Sequence, residues 1–264
     1  MHAYRIAYDG QPYHGFQRQP DVATVEDTLF EALRALGVIE DDKPTQYAAA
    51  GRTDRGVSAV AQTVGFEAPA WLSPAAFNSE LPPSVRVWAS ADAPPDFHAT
   101  HHAAWREYTY FLHAPETKES RVRRAVDTLA GEHDFHNLTP DSAGTRRTLS
   151  TTLTREGPFL RVRFRSDGFP RQLVRRAVSL VGEVARGESD IGRIERALAP
   201  EPMLGGEGVA PAPPAPLVLT DVSYDLSFTP DEEAAQRTRE TFRRIRTEHD
   251  TRARVASQIL DSVW

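Results

Sequence analysis

Hydrophobic and polar positions in the first hundred residues follow two spacings in turn, that of strands and that of helices. Period-two alternation predicts a strand over 3–8. Apolar residues at helical spacing then extend over 25–36, with Thr24 and Asp27 forming a capping box and Gly37 ending the helix. Further predicted elements are strands at 44–50, 57–67 and 84–91 and a short helix that begins at Ser73-Pro74.

The second half of the chain repeats this order of elements. The predicted elements are a strand at 104–113, a helix ending at Gly131, a hairpin of 146–156 with 158–166, a helix from Leu173, a proline-rich loop at 200–216 and a strand at 217–228. Residues 230–258 are charged and favour a helix, with acidic residues in its first turn. Such a segment is usually a solvated appendage.

Two successive sets of strands and helices indicate an α+β fold rather than a parallel α/β sheet. We expect an N-terminal α+β half over 1–103, a C-terminal α+β half over 104–228 and a charged helical extension over 229–264. The sheets of the two halves could join. No sequence repeat proves the duplication.

Composition places the chain among ordinary globular proteins. Its 264 residues, 40% of them hydrophobic, are enough to bury a large core. The absence of cysteine excludes disulfides, thiolate nucleophiles and cysteine-based zinc sites. The N-terminus lacks the apolar segment of a signal peptide, and no apolar run approaches the length of a membrane helix. The expected location is therefore cytoplasmic.

Net charge alone argues mildly against a nucleic-acid partner, because the formal charge is −6. Nearly all the positive charge is arginine, however, and arginine suits bidentate phosphate contacts and stacking on bases. Arg161, Arg163 and Arg165 fall on one face of a predicted strand, and the apolar residues between them fall on the other. This row fits a polyanionic partner, or it is paired with acidic groups elsewhere. The stretch by itself leaves both interpretations open.

Two other clusters contain residue types that are used in functional sites. Arg106, Tyr108 and Tyr110 share a face of the strand at 104–113, where an aromatic ring could stack on an unpaired base, although such a face is more often ordinary half-buried sheet. Histidines occur in FHATHH and EHDFH, but neither stretch has the HExxH spacing of a zinc site. We therefore expect no metal.

The segment AGRTDRGVSA, residues 50–59, lies between two predicted strands. Gly51 and Gly56 allow a tight turn that displays Asp54, and the neighbouring Arg52 and Arg55 favour its ionised form. An ionised, exposed aspartate can serve as a nucleophile or a base. An Asx turn flanked by solvated arginines is an equal interpretation on physical grounds.

Seven motifs occur in order along the chain. They are YDGQPYHGFQRQ (8–19), GRTDRGVSA (51–59), LPP (81–83), DFHA (96–99), REYTY (106–110), LVRRAVSLVGEV (173–184) and PLVL (216–219). Together they resemble the tRNA pseudouridine synthases of the TruA type, over residues 4 to about 228. A GRTD match alone would be weak, whereas the ordered set is highly specific.

The resemblance implies a fold, a reaction and partners. The implied pseudouridine synthase fold has two ferredoxin-like halves that form an extended mixed or antiparallel sheet, with helices on one side and a central cleft. The implied reaction converts uridine to pseudouridine in the anticodon arm of tRNA, around positions 38–40. The family uses neither a metal nor an organic cofactor and acts as a homodimer, so tRNA and a second copy of the chain are the expected partners.

The resemblance also implies roles for individual residues. Asp54 matches the catalytic aspartate, which attacks the ribose C1′ or removes the 2′ proton. Arg52 matches an arginine that assists extrusion of the target nucleotide, and Tyr108 a tyrosine that stacks on the base. Arg175 matches the arginine that pairs with the aspartate, and Leu217 a residue that lines the uracil pocket.

Two departures from the family pattern affect these expectations. Ser58 stands where the family commonly has histidine, and the extension beyond about 228 lies outside the resemblance. There are two alternative hypotheses. One is an RNA-binding module without catalysis, and the other is an enzyme with related chemistry on another RNA. The first predicts salt-dependent tRNA binding without isomerisation.

Overall fold

The computed structural model describes residues 1–263, so Trp264 of the predicted extension lies outside the described residues. The strands are β1 (His2–Tyr8), β2 (Ala48–Ala49), β3 (Ser58–Phe66), β4 (Val85–Asp92), β5 (Trp105–His113), β6 (Gly131–Asp134), β7 (Arg146–Glu156), β8 (Phe159–Ser166), β9 (Leu217–Ser223) and β10 (Thr229–Pro230). The helices are α1 (Val25–Ala35), α2 (Pro74–Phe77), α3 (Glu119–Thr128), α4 (Leu173–Arg186), α5 (Ile191–Leu198) and α6 (Glu232–Ser262), with 3₁₀ turns at His136–Leu138 and Gly205–Glu207.

All ten strands form one extended mixed sheet. Its order is β10-β4-β1-β3-β9-β5-β8-β7-β6, and β2 pairs with β3. The strand pairs are antiparallel except β3 with β9, which run parallel through Ser58↔Val218 and Ala59↔Leu219. This short parallel pairing joins strands from the first and second parts of the chain. The α+β class predicted from the sequence is confirmed.

Two hydrophobic cores lie under the helices. One packs α1 and α2 on β1, β3 and β4, and the other packs α3, α4 and α5 on β5, β7 and β8. The partly buried Tyr108 contacts both cores. α6 is different, because its first turns pack on the opposite face of the sheet, beside Ala7, Val60 and Trp88.

Local sequence signals explain where several elements begin and end. The Thr24 hydroxyl accepts a hydrogen bond from the Asp27 amide at 3.2 Å, which confirms the N-terminal cap of α1. Ser73 caps α2 in the same way, and the Asp231 carboxylate caps α6. Gly37 adopts φ +67° directly after the last turn of α1, so the predicted stop is also confirmed.

The structure corrects the sequence-based elements in several places. The strand expected at 44–50 is reduced to β2, because Pro44 lacks an amide donor and Gln46 adopts φ +55°. The strand expected at 217–228 ends at Ser223. The elements β6 and α5 were not predicted, because β6 contains three polar residues and α5 only eight residues with Ile194 and Ala197 buried.

From the sequence we expect no apolar run of the length of a membrane helix. Among residues 1–263, none of the helices combines the length and the apolar character that a bilayer crossing requires.

Candidate active site

The loop that carries Asp54 links β2 to β3 and is anchored by its backbone. The Thr53 carbonyl accepts from the Phe16 amide at 3.1 Å, and the Gly56 amide donates to the Tyr13 carbonyl at 3.3 Å. Gly56 adopts φ +79°, so the glycine here allows the turn, whereas Gly51 has no left-handed conformation. The loop is thus held by the YDGQPYHGFQRQ segment.

Asp54 pairs with an arginine that is distant in sequence. Nη1 of Arg175, in the first turn of α4, donates to the Asp54 carboxylate at 2.8 Å. The two side chains are 14% and 33% exposed respectively, so the carboxylate remains accessible to a ligand while the guanidinium is largely buried. The Asx turn considered for Asp54 is not formed; its carboxylate accepts from Arg175 instead.

A second contact fixes the orientation of the Arg175 guanidinium. Its Nε donates to the Ala212 carbonyl at 2.8 Å, and the Ala212 amide donates to the Arg175 carbonyl at 3.0 Å. The proline-rich loop predicted at 200–216 therefore holds the guanidinium in place. A charge-assisted bond whose donor is fixed in this way restricts the rotamer of Asp54.

Tyr108 lies in the same cleft as Asp54 and is packed by an aromatic neighbour. Its ring meets Phe169 edge-on, with centroids 5.2 Å apart and an interplanar angle of 89°. Burial raises the pKa of Tyr108 to about 12, with a further rise from Asp54 and an opposing effect of Arg106. The phenol is therefore neutral near pH 7. Phe169 was not predicted as a site residue, although it lies just before the LVRRAV motif.

Arg106 is a buried arginine that joins three segments around the cleft. Its guanidinium donates to the Ala50 carbonyl at 2.9 and 2.8 Å, to the Asp167 carbonyl at 2.6 Å and to the Thr100 carbonyl at 2.6 Å. Ala50 precedes the Asp54 loop, and Asp167 precedes Phe169. One side chain thus ties the Asp54 loop to the segment that supports Tyr108.

The cleft has a volume of about 750 Å³ and is lined by residues from both parts of the chain. Leu217, at the start of β9, is 4% exposed and supplies an apolar wall. Arg52 is exposed at the cleft and forms no hydrogen bond or ion pair with any residue in the described part of the chain. The structure therefore brings together Asp54, Arg52, Tyr108, Arg175 and Leu217.

Arg161, Arg163 and Arg165 lie on the other face of the sheet. Tyr108 is paired with Phe164 in the β5–β8 register, so the arginines that alternate with Phe164 point away from the cleft. We call this the open face. Arg161 pairs there with Glu156 at 2.7 Å, and Arg165 pairs with Glu107 at 2.9 Å.

The arginine row therefore has acidic partners for two of its three members. Arg165 also stacks over Trp105, with its Cζ 4.0 Å from the ring centroid. The Arg163 side chain has no hydrogen-bond or ion-pair partner among residues 1–263. Substrate binding by this row stays a prediction, and it would have to occur outside the cleft.

Ser58 is a bracing residue of the Asp54 loop. Its hydroxyl accepts from the Gly10 amide at 3.0 Å, and it is not among the residues that line the cleft. Gly10 sits so close to the loop that a Cβ there would lie 2.1 Å from the Val57 carbonyl oxygen. The hydroxyl thus helps to hold the loop against the Gly10 turn.

The histidine clusters form no recognisable metal site. His98 and His101 have ring centroids 4.2 Å apart, and the His98 amide donates to His102 Nδ1. Across residues 1–263, the geometry offers no group of three or more histidine, aspartate or glutamate side chains that could hold a metal ion.

Comparisons with known proteins show which family the chain belongs to. The chain is 59% identical to tRNA pseudouridine synthase A of Haloarcula marismortui over 275 aligned positions, covering 100% of both chains. The chain belongs to the tRNA pseudouridine synthase A family. The TruA-type resemblance inferred from the motifs is thereby confirmed.

More distant members of the tRNA pseudouridine synthase A family also align over most of the chain. The Halobacterium salinarum protein of that name is 56% identical and covers 97% of each chain. The Methanothrix thermoacetophila protein is 40% identical and covers 89% of this chain and 88% of its own. A family model described as tRNA pseudouridine synthase matches residues 125–225.

The solved structures give only a remote likeness. The archaeal box H/ACA sRNP Nop10-Cbf5 complex aligns with 69% of this chain and 43% of that chain, with 14% identity and a TM-score of 0.37.

Proposed function

We propose that this protein isomerises uridine to pseudouridine in the anticodon arm of tRNA, around positions 38–40, and that Asp54 is the catalytic carboxylate. Family membership supports the reaction and the tRNA substrate. The observation that carries the assignment of Asp54 is its ion pair with Arg175 inside the cleft.

The reaction moves one bond and needs no external oxidant or reductant. The N1–C1′ bond breaks, the uracil rotates, and C5 bonds to C1′, with the proton lost from C5 replaced by one gained at N1. Asp54 starts this sequence either by attack on C1′ or by removal of the 2′ proton, and both routes require its ionised form. Arg175 holds the carboxylate in place for either route.

The remaining cleft residues have roles in binding and orientation. Tyr108 is a neutral, rigidly packed ring on which the extruded uracil stacks. Leu217 gives the base an apolar wall. Arg52, exposed and without a protein partner in the described chain, contacts the backbone of the extruded nucleotide.

The proposal extends to assembly, location and cofactors. We propose a homodimer, because a tRNA is large relative to one cleft, and light scattering in solution tests this. We expect the protein to act in the cytoplasm, where tRNA is modified. We expect purified protein to need no added metal or organic cofactor, which turnover in the presence of a chelator would test.

The decisive experiment compares two carboxylate substitutions in the same cleft. Asp54→Asn is expected to lower kcat at least about 10³-fold with labelled tRNA. Asp141 pairs with Arg171 in the cleft lining, and Asp141→Asn is the matched control, expected to retain most activity. Equal pseudouridine formation by wild type and Asp54→Asn would refute the role of Asp54.

Three further measurements distinguish the remaining alternatives. A substrate deuterated at C2′ slows the reaction if Asp54 removes the 2′ proton and leaves the rate nearly unchanged if Asp54 attacks C1′. Mapping pseudouridines in cells that lack the gene tests the substrate, because loss should be confined to the anticodon arm of tRNA. Salt-dependent tRNA binding without isomerisation would favour a binding module.

A further inference from the structure

Helix α6 has a packed first part and a free second part. Ala234, Ala235 and Thr238 are buried against the sheet, whereas every residue over 246–263 is exposed. At 1.5 Å per residue, residues 246–262 extend about 25 Å beyond the last packed turn. We call residues 243–262 the arm.

The arm leaves the body at the end of the sheet that carries the Asp54 loop. β10 runs antiparallel to β4 through Thr229↔Ser90 and Pro230↔Ala89, and the Asp231 amide donates to the Trp88 carbonyl at 3.1 Å, so the chain enters α6 in the direction of the start of β4. β4 starts at Val85, opposite Tyr8. The Tyr8 hydroxyl in turn hydrogen bonds to Thr53 at 2.8 Å.

The first turns of the arm are strongly basic within an acidic chain. Residues 243–254 contain five arginines against Glu248 and Asp250, whereas the whole chain has a formal charge of −6. Of the five, Arg246 pairs with Asp250 at 3.3 Å. The guanidinium groups of the other four form no hydrogen bond or ion pair with any residue that the structure describes: Arg243, Arg244, Arg252 and Arg254.

Like charges also meet where the arm joins the body. Burial lowers the pKa of Arg86, and the nearby Arg237 and Arg244 lower it further. Arg86 is held there by bonds to the carbonyls of Asn78 and Leu81 at 3.2 and 3.1 Å. Clustered guanidinium groups repel each other, and a polyanion relieves that repulsion.

We propose that the arm binds the phosphate backbone of tRNA outside the cleft. The inference rests on the proposed function, since it assumes that a tRNA occupies the cleft. RNA fits better than a second protein chain because the arginines occupy the turns of the arm nearest the body. The exposed apolar side chains Val255, Ile259 and Leu260 are confined to the far end.

The test removes the arm's charge and measures binding separately from turnover. The variant combines Arg243→Gln, Arg244→Gln, Arg246→Gln, Arg252→Gln and Arg254→Gln. Its Kd for whole tRNA is expected to rise about tenfold, and the slope of log Kd against log salt to fall by about 3. Kd and turnover with an isolated anticodon stem-loop are expected to stay unchanged, because this RNA fills only the cleft.

Matched variants on the same helix show whether charge or helix integrity is responsible. Glu248→Gln with Asp250→Asn removes two negative charges and is expected to tighten tRNA binding. Val255→Ser, Ile259→Ser and Leu260→Ser together are expected to leave Kd unchanged. Circular dichroism checks that every variant keeps its helix content.

Three results would decide the matter. A tRNA Kd within about twofold of wild type in the arginine variant, with an unchanged salt slope, would overturn the proposal. The same result with conversion of a dimer to a monomer by the serine variant would assign the arm to a second copy instead. If tRNA binding weakens as expected but the wild type forms no pseudouridine, the role of the arm in tRNA binding is supported and the proposed catalysis is refuted.

Discussion

The two faces of β5 and β8 carry the same type of charge and use it differently. On the cleft face, Arg106 is buried and bonded to backbone carbonyls, and Arg175 reaches in from α4 to pair with Asp54. On the open face, Arg161 and Arg165 each pair with a glutamate on the same sheet. On the cleft face, arginines thus hold a loop and a carboxylate in place. On the open face, most of the arginine charge is neutralised by glutamates.

The difference shows that the groups to which an arginine bonds indicate its role better than its position in a row of arginines does. Each open-face pair joins neighbouring strands and includes one side chain that is nearly half exposed, so the pairs contribute little to stability. The cleft pair joins residues 121 positions apart and leaves Asp54 one-third exposed. A buried guanidinium that leaves its carboxylate accessible is the arrangement expected of a reactive site rather than of a structural pair.

Among the variants that compare the two faces, a substitution of Arg106 is expected to have the largest effect on stability, because the cleft face depends on this buried charge. Arg106→Gln is expected to lower the free energy of unfolding by about 3 kcal/mol, because carbonyls of three segments lose a charged donor. It should also lower kcat more than it raises KM. Denaturant unfolding and steady-state kinetics measure both effects.

Arg5 offers a matched control for Arg106 on the other face of the sheet. Its side chain is 11% exposed and pairs with Asp221 at 3.1 Å. Arg5→Gln should lower stability while the kcat of the folded enzyme stays near wild type. A kcat loss as large as that of Arg106→Gln would show that any buried arginine affects turnover. The contrast between the cleft face and the open face would then be wrong.

Arg175→Gln tests the cleft pair itself. The substitution frees the Asp54 rotamer, and kcat is expected to fall about 100-fold. Arg171→Gln, at the cleft pair with Asp141, is the control and should change kcat less than about threefold. Equal effects of the two substitutions would mean that the Arg175–Asp54 pair has no special role.

A smaller effect is expected on the open face. If the row binds RNA, Arg163→Gln should reduce the slope of log Kd against log salt for tRNA by about 1. Arg161→Gln should reduce it less, because Arg161 already pairs with Glu156. Filter binding over a salt series distinguishes them. Unchanged slopes for both variants would remove the open face from the RNA interface.

The smallest expected effect is at Ser58. Ser58→Ala removes the acceptor of the Gly10 amide and is expected to cost about 1 kcal/mol of stability, with kcat changed less than about twofold. Ser58→His restores the residue common in the family and should leave turnover unchanged as well. A large kcat change in either variant would show that the residue acts in the cleft after all.

Local pattern predicted many of the elements and failed where local signals were weak. The cap at Thr24, the stop at Gly37 and the alternation along β8 were readable because neighbouring residues determine them. β6 was missed because its polar sequence becomes a strand only by pairing with β7. The strand predicted at 44–50 was too long because the hydrophobic pattern does not indicate the positive φ of Gln46.

The site was predicted in part from residues and in part through the resemblance. The residues alone indicated a displayed, ionised Asp54 but allowed an Asx turn. The resemblance supplied Arg175, Tyr108 and Leu217 as neighbours, and the structure places them in one cleft. Phe169 and the bracing role of Arg106 were not predicted, because both depend on contacts between segments far apart in the chain.

The sequence by itself determined the α+β class, the motifs of the family and the alternation that puts three arginines on one side of β8. Tertiary structure alone decided which side that is, because β5 pairs Tyr108 with Phe164 and so turns the row away from Asp54. It also decided that Arg175 reaches Asp54. Periodicity is a property of neighbours along the chain, whereas the face of a sheet and the partner of a charge depend on how distant strands pair.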